Sequence, residues 1–462
     1  MKKRIIDYKN FFFVGIGGIG MSALARYFNS FEKKIAGYDK NSSSLTNKLI
    51  EEGCQVTYED QIDKIPKTHL SSSDTLVVYT PAIPEEHRQL NYFQENSFQV
   101  LKRSEVLGLI TRFNKALCVA GTHGKTTTSA MLSHVLSQTD LGCSAFLGGI
   151  SSNFNSNVII NRQSDWTVVE ADEFDRSFLH LSPFFSIITA MDPDHLDIYG
   201  DPDHFNEGFQ QYAMKIDPNG CCIVKEGIKL HTLSEYFTYN IESDTADYSA
   251  SDISYEDGLM CFYVRSKEYS GRKFELGIPG IHNVMNALAC IVSLEKIGVS
   301  YPQIRRGLKS FKGVRRRFDI HISSEDLMFI DDYAHHPEEL RLLIDSLRMM
   351  YPGKKLIAIF QPHLYTRTRD FGSEFSVQLS RFDELFLLPI YAARENEIIG
   401  VSSEWLLSKV NIKNKKVVEP TKVLELMKDT KEGVVLTIGA GDIDRLVSPL
   451  QEILNQNIRH IL

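Results

Sequence analysis

The segment whose residue types and spacing could do the most specific chemistry is Gly121-Thr122-His123-Gly124-Lys125-Thr126-Thr127-Thr128. Glycine lets backbone N–H groups approach a phosphate, and a helix start adds donors that lack an intrahelical acceptor. Lys125 can neutralise the oxygens of a terminal phosphate. Thr126 or Thr127 could set a hydroxyl on magnesium. A typical nucleotide loop has a further glycine where Val119 stands, so this loop is a shortened variant. Two groups of acids lie downstream, Glu170-Ala171-Asp172-Glu173 and Asp192-Pro193-Asp194-His195-Leu196-Asp197. Each follows an apolar run, which places it at the carboxyl end of a strand, where open sheets bind ligands. Magnesium prefers oxygen ligands, and a second metal would help a carboxylate approach a triphosphate, so Glu170 and His195 are candidate ligands. Either group taken alone also reads as a solvated loop or a helix cap.

A second glycine loop, Gly15-Ile16-Gly17-Gly18-Ile19-Gly20, follows the first strand and precedes a helix. Its Gly15, Gly17 and Gly20 have the spacing of a dinucleotide fingerprint, and Asp39 ends the next strand at about the distance of an acid that reaches a ribose. Alone, this suggests a nicotinamide-dependent oxidoreductase. The rest of the chain has no evident hydride-transfer constellation, and a nucleotide-sugar diphosphate would use the same donors, Gly18 included.

A third constellation lies toward the carboxyl end. Asp331-Asp332-Tyr333-Ala334-His335-His336-Pro337-Glu338-Glu339 follows a strand and starts a helix. Capping explains Pro337 and the glutamates but not Asp331, Tyr333 and His335 together. In Gln361-Pro362-His363-Leu364-Tyr365-Thr366-Arg367, Arg367 could grip a carboxylate bidentately and His363 could orient an amine or a phosphate. Asn283 and Asn286, three apart on one helical face, could bind a base and ribose, or cap and bridge the helix.

The elements that must hold these residues are short apolar strands separated by helix-length segments. Phe11–Val14, Ile35–Tyr38 and Leu76–Tyr79 belong to a first unit, with a helix from Ile19 to Phe31. Ala116–Ala120, Trp166–Val169 and Ile187–Thr189 belong to a second, with a helix from about Thr126 to Gln138. Residues 223–276 are richer in turns and alternation and are expected to add antiparallel strands there. Phe329–Ile330, Leu356–Phe360, Glu384–Leu388 and Val434–Ile438 make a third unit around another open parallel sheet. The expected fold is α/β with three domains: 1–108, 109–314 and 315–462.

A length of 462 residues suits two or three domains, and 43% hydrophobic with 24% charged residues is a folded composition. The formal charge of -8 gives no reason to expect nucleic acid. Seven scattered cysteines without a Cys-x-x-Cys pair suit small buried hydrophobes in a reducing compartment. Met1-Lys2-Lys3-Arg4 and the charges before Phe11 make neither a signal peptide nor a membrane span, and no later stretch supplies about 20 apolar residues. The expected compartment is the cytoplasm.

Taken in order, these motifs resemble the Mur ligase family, the ATP-dependent amino-acid ligases of peptidoglycan precursor synthesis. The resembling segments are Gly15–Ser22, Gly121–Thr128, Glu170–Leu181, Asp194–Asp197, His282–Asn286, Arg315–Phe318, Asp331–Pro337 and His363–Thr368. The resemblance implies a Rossmann-like amino-terminal domain for a UDP-sugar, a central P-loop ATPase and a Rossmann-like carboxyl-terminal domain for nucleotide and amino-acid contacts. It implies metal roles for Thr126, Glu170 and His195, and nucleotide contacts from the Gly121–Thr127 loop, Asn283, Asn286, Arg316 and Asp332. Arg367 is implied to lie beside the amino acid, with Tyr333, His335 and His363 also expected at substrate. Within the family, Gly15–Ser22, Gly121–Lys125, Ser177–Leu181 and Tyr333–Pro337 are similar to the segments of members acting on UDP-N-acetylmuramate and L-alanine. ATP and Mg2+ are then the implied cofactors, and ligation through an acyl phosphate is the implied reaction, with Lys125, Glu170, His195 and Arg367 as the catalytic set. The rival readings are a recycling ligase that attaches a tripeptide to the same nucleotide sugar, the oxidoreductase, and a noncatalytic nucleotide sensor. Phe174, Arg176 and Ala190 depart from the family pattern, Ala190 standing where asparagine is common. Lys215 matches no modified lysine of the family, and no carbamylation is assigned to it.

Overall fold

Phenylalanine and valine runs that are buried on both faces select parallel pairing under helical cover, and the computed structural model, which describes residues 4–193, 196–393 and 395–459, has three such sheets. The first contains β1 (Asn10–Val14), β2 (Lys34–Tyr38), β3 (Gln55–Thr57), β4 (Thr75–Tyr79) and β5 (Gln99–Lys102) in the order β3-β2-β1-β4-β5. All its pairings are parallel. The strand order reverses beside β1, so the loop after β1 opens at the switch point of the sheet. Its helices are α1 (Ile19–Ser30), α2 (Ser44–Glu51), α3 (Arg88–Glu95) and α4 (Arg103–Thr111). On α1, Leu24 and Phe28 are buried, with the Phe28 ring stacked 4.0 Å from Phe11. Each such side chain contributes about 1.5–3 kcal/mol.

The second sheet has ten strands: β6 (Lys115–Ala120), β7 (Ser144–Ser151), β8 (Ser156–Ile159), β9 (Trp166–Glu170), β10 (Phe185–Ile188), β11 (Cys221–Lys225), β12 (Glu235–Ile241), β13 (Tyr248–Glu256), β14 (Leu259–Ser266) and β15 (Arg272–Leu276). Their order is β15-β14-β13-β12-β11-β10-β6-β9-β7-β8. β6 lies between β10 and β9 in parallel register, Val119 opposite Glu170 and Ala120 opposite Ile188. That register brings the ends of three strands to one place. β6 then feeds α5 (Lys125–Leu136), whose residues after the first are all buried. The expectation of antiparallel strands over residues 223–276 needs correction. β11 pairs parallel with β10 and with β12, and β12 pairs parallel with β13, since the buried run Cys221–Val224 behaves as a core strand. A tight reversal occurs only later, at Asp257 and Gly258, whose φ values of 50° and 81° suit a two-residue hairpin turn.

The third sheet comprises β16 (Asp319–Ser323), β17 (Leu327–Asp332), β18 (Leu356–Phe360), β19 (Glu384–Leu387), β20 (Lys415–Val417) and β21 (Gly433–Ile438) in the order β16-β17-β21-β18-β19-β20. It is parallel except for β16, which pairs antiparallel with β17 at the edge.

The chain divides into two compact units. One is Met1–Asp252 with Cys261–Leu276 and Met285–Lys312; the other is Ile253–Met260 with Gly277–Val284 and Gly313–Leu462. The first two sheets share a unit because α1 lies on the β7–β8 hairpin, where Asn157 Nδ2 donates to the Ile19 carbonyl at 2.6 Å and to Ser22 Oγ at 3.0 Å. All seven cysteines are free and buried. Among the described residues, no helix is long and apolar enough to cross a membrane.

Candidate active site

The central loop leaves β6 through Gly121 at φ 125° and enters α5 through Gly124 at φ 81°, a conformation that favours glycine. Space makes the same demand. A Cβ on Gly121 would stand 2.2 Å from Thr189 Oγ1, and one on Gly124 would stand 2.6 Å from Asn286 Oδ1. The loop is tied to the strand end beside it: Thr122 donates through N to the Ala190 carbonyl at 3.2 Å and through Oγ1 to the Asp192 carbonyl at 2.8 Å. Thr189 donates its hydroxyl to the His123 carbonyl, and the His123 ring lies 3.6 Å from the Asp192 carboxylate. Ala190 is thus packed against the loop backbone. Thr127 is buried within α5.

Lys125 Nζ donates to the Gly121 carbonyl at 2.7 Å and to Glu173 Oε1 at 2.9 Å. Burial pulls the ammonium toward neutrality, but Glu173, Asp172 and Glu170 outweigh it and hold its pKa above the ordinary lysine value. Burial raises the Glu173 carboxyl, and Lys125 opposes that rise. Thr126 Oγ1 faces both oxygens of Glu170 at 3.0 and 3.1 Å, and Gly148 N donates to Glu170 Oε2 at 2.8 Å. A Cβ on Gly148 would fall 2.2 Å from that oxygen. Sequence reasoning missed Glu173 and Gly148. Glu173 was visible only as one acid of four residues, whereas a glycine inside a strand was an available sign of close approach. His195 lies outside the described residues.

The amino-terminal loop is held differently. Gly15 and Ile16 donate to the Tyr38 carbonyl at 2.8 and 2.9 Å, and Gly17 N donates to Asp39 Oδ2 at 2.7 Å. Asp39, expected at substrate, is therefore engaged with the loop's own backbone. Gly18 caps α1, and Gly20 makes room for Arg103, whose Nη1 would lie 2.8 Å from a Cβ there. Arg103 Nη2 reaches Asp172 Oδ2 at 3.7 Å. Gly18, Gly20, Arg103, Gly148, Glu170 and Asp172 all line one cleft of about 390 Å³. The amino-terminal glycine motif and the acids beside the phosphate loop, Glu170 and Asp172, thus line a single cavity.

In the carboxyl-terminal unit, Asp332 accepts from Phe318 N at 2.7 Å and Ala334 N at 2.8 Å. Burial lifts its carboxyl to about 6, against the pull of Arg317. Both of its oxygens fasten backbone, so its place is that of a brace between two loops. Arg316 Nη2 donates to the Gly439 carbonyl at 2.7 Å and its Nε lies 3.5 Å from Asp331 Oδ2. The Tyr333 ring is covered by Arg316 and Arg317 at 5.1 and 4.8 Å. The His335 ring lies 5.8 Å from that of His363, and Arg367 Nη1 is 3.4 Å from His363 Nδ1. Burial lowers His335 to about 3, so the ring is neutral and its Nδ1 lies 3.0 Å from the Tyr333 carbonyl. Tyr333, His335, His363 and Arg367 are therefore brought together. Asn283 Nδ2 donates to the Pro279 carbonyl at 2.5 Å, the capping role, while Asn286 on the same helix, Ile281–Lys296, meets the central loop at Gly124.

Comparison with known proteins agrees with this layout. Residues 10–115 match the model of the Mur ligase family catalytic domain, 119–294 the Mur ligase middle domain and 316–441 the Mur ligase glutamate ligase domain. A UDP-N-acetylmuramate–L-alanine ligase from Parabacteroides distasonis is 48% identical over 97% of this chain and 98% of its own length. The crystal structure of a UDP-N-acetylmuramate–alanine ligase from Thermotoga maritima superposes with a TM-score of 0.80 at 27% identity, covering 97% of this chain and 98% of that one. A murein peptide ligase from Psychrobacter arcticus has the same fold, with a TM-score of 0.68 at 19% identity over 96% of this chain and 98% of its own. Consecutive matches over most of the length, together with a relative that shares nearly half of its residues, establish that the chain belongs to the Mur ligase family.

Proposed function

We propose that the protein joins L-alanine to the carboxylate of UDP-N-acetylmuramate at the expense of ATP, giving ADP and phosphate, as a cytoplasmic step of peptidoglycan precursor synthesis. The observation that carries this reading is the shared cleft: the glycine loop suited to a diphosphate and the acids beside the phosphate loop open into the same space. The 48% identical relative supports the choice of substrates. On this reading residues 1–108 hold the UDP-sugar, 109–314 the triphosphate, and 315–462 supply amino-acid and nucleotide contacts.

The order of bond changes follows from the groups present. A carboxylate oxygen of the sugar attacks the terminal phosphorus of ATP, the bond to ADP breaks, and an acyl phosphate results. The amine of L-alanine then attacks the acyl carbon, phosphate leaves with the bonding electrons, and the nitrogen gives up its proton. Lys125 counters the charge that gathers on the moving phosphoryl group, and the loop N–H groups hold its oxygens. Arg367, buried beside His363, suits the carboxylate of the amino acid, whose position and orientation set the second step. Thr126 and Glu170 form an all-oxygen pair that fits Mg2+, with His195 proposed as a further ligand; the metal would neutralise phosphate oxygens there.

The test is a phosphate-release assay with ATP, Mg2+ and UDP-N-acetylmuramate in which the amino component is varied. Release that requires L-alanine is expected. Release that requires a tripeptide instead, or none with either, overturns the proposal.

A further inference from the structure

Arg103 is the first residue of α4, and its guanidinium lies across Gly20, the second residue of α1. Both positions are near positive helix ends, where a cation is disfavoured. The nearest acid pairing is weak, with Asp172 at 3.7 Å and 39% exposed. A cation held in such surroundings calls for an anion of another kind. Among the described residues lining the cleft, Arg103 is also the only lysine, arginine or histidine, whereas Glu170 and Asp172 are its acids. An acid bound in this cleft to meet a phosphate shares it with two carboxylates, and like charges repel. The diphosphate of a nucleotide sugar has backbone donors at the glycine loop for its own charge.

We infer that Arg103 is a substrate-contact residue that receives the reacting carboxylate of the nucleotide sugar and holds it between the diphosphate loop and the phosphate loop. The inference rests on the function proposed above. It gives Gly20 a specific purpose, since any side chain there would displace the guanidinium. The planar fork of arginine suits a carboxylate bidentately, and lysine would replace it only in part.

The experiment is equilibrium binding by calorimetry to the full chain, wild type, Arg103→Ala and Arg103→Lys, with two probes. UDP-N-acetylmuramate carries both diphosphate and acid; UDP carries the diphosphate alone. Arg103→Ala is expected to weaken the first on the order of tenfold to a hundredfold and to leave UDP within about twofold, with Arg103→Lys between. Equal loss for both probes would place Arg103 on the diphosphate and overturn the assignment, as would no loss for either. Unchanged ATP binding shows that a variant is folded; if the alanine variant fails that check, the lysine variant carries the same comparison. Wild-type protein that binds both probes yet releases no phosphate with L-alanine would refute the proposed function, while the ratio of affinities would still judge Arg103.

Discussion

The two glycine loops of the first compact unit follow the same plan of strand, loop and helix, and they close in opposite ways. In the loop after β1, the fixed charge is an acid from the neighbouring strand: Asp39 takes the N–H of Gly17, and Gly18 caps α1 from an extended conformation. In the loop after β6, the charge is a cation carried by the helix itself. Lys125 folds back on the Gly121 carbonyl and pairs with Glu173, while Gly124 caps α5 from the left-handed region. On the proposed function, the first arrangement presents a backbone cradle to a group that is only held. The second keeps a charge that can exchange its counter-ion for phosphate oxygens, which is what a group in transfer requires. Glycine spacing announces both loops, but the ionic partner distinguishes their tasks.

Replacing the cation should divide the loops most sharply. Lys125→Ala is expected to lower alanine-dependent phosphate release about a thousandfold with the fold retained by circular dichroism; release at the wild-type rate would erase the contrast. Next, Gly148→Ala pushes a methyl against the Glu170 carboxylate and should reduce kcat about a hundredfold. Steady-state kinetics that show a change in KM for the sugar alone would instead assign Gly148 to the first loop.

The exchange of counter-ions can be tested through stability. Glu173→Ala removes one member of a buried pair and should destabilise the ligand-free protein by about 3 kcal/mol in urea unfolding. Saturating ATP should recover part of that loss, because binding to the native state adds stability and the phosphates replace the missing carboxylate. For the first loop, Asp39→Ala should cost about 1.5 kcal/mol, seen as weaker UDP-sugar binding with the KM for ATP unchanged. An equal effect on ATP would mean that the loops are not independent.

The smallest effect separates their helices by pH. His134 on α5 is buried and held at about 4, by burial first and by the charge of Lys312 second, whereas α1 has no histidine. Below the unfolded value of about 6.5 the unfolded chain takes a proton that the folded one refuses, so stability falls on acidification until the folded group titrates. Between pH 7 and about 5.5, the stability lost by His134→Gln should be smaller than that lost by the wild type by about 1 kcal/mol. A loss of the same size in the variant would assign the acid sensitivity elsewhere.

Much of the site was legible because its signals are local. Gly121 and Gly124 need φ values that glycine favours, Lys125 follows at a helix start, and the apolar runs before Glu170 and Thr189 mark strand ends. The parallel pairing of the first sheet and of β17 to β21 in the third could be read from those runs for the same reason, but not the antiparallel edge strand β16. The pairing of β11 to β13 could not, since alternation within one short strand does not reveal which neighbour it meets. Tyr333, His335, His363 and Arg367 were legible as candidates but not as neighbours. The backbone partners of Asp332 and Asn283 were not legible either, because a short polar side chain meets whichever donor or acceptor the fold brings nearest.

Residue order alone was enough for the two glycine loops and their strand and helix flanks, since each depends on conformational preferences within about ten consecutive residues, and for the family, since its motifs follow one another along the chain. Packing between distant segments decided the rest: that Gly148 reaches Glu170, that Asp39 turns to its own loop, that Glu173 secures Lys125, and that Arg103 crosses Gly20. The reason is geometric. A side chain's partner is set by where another part of the chain comes to lie, and that position is a property of all the contacts together.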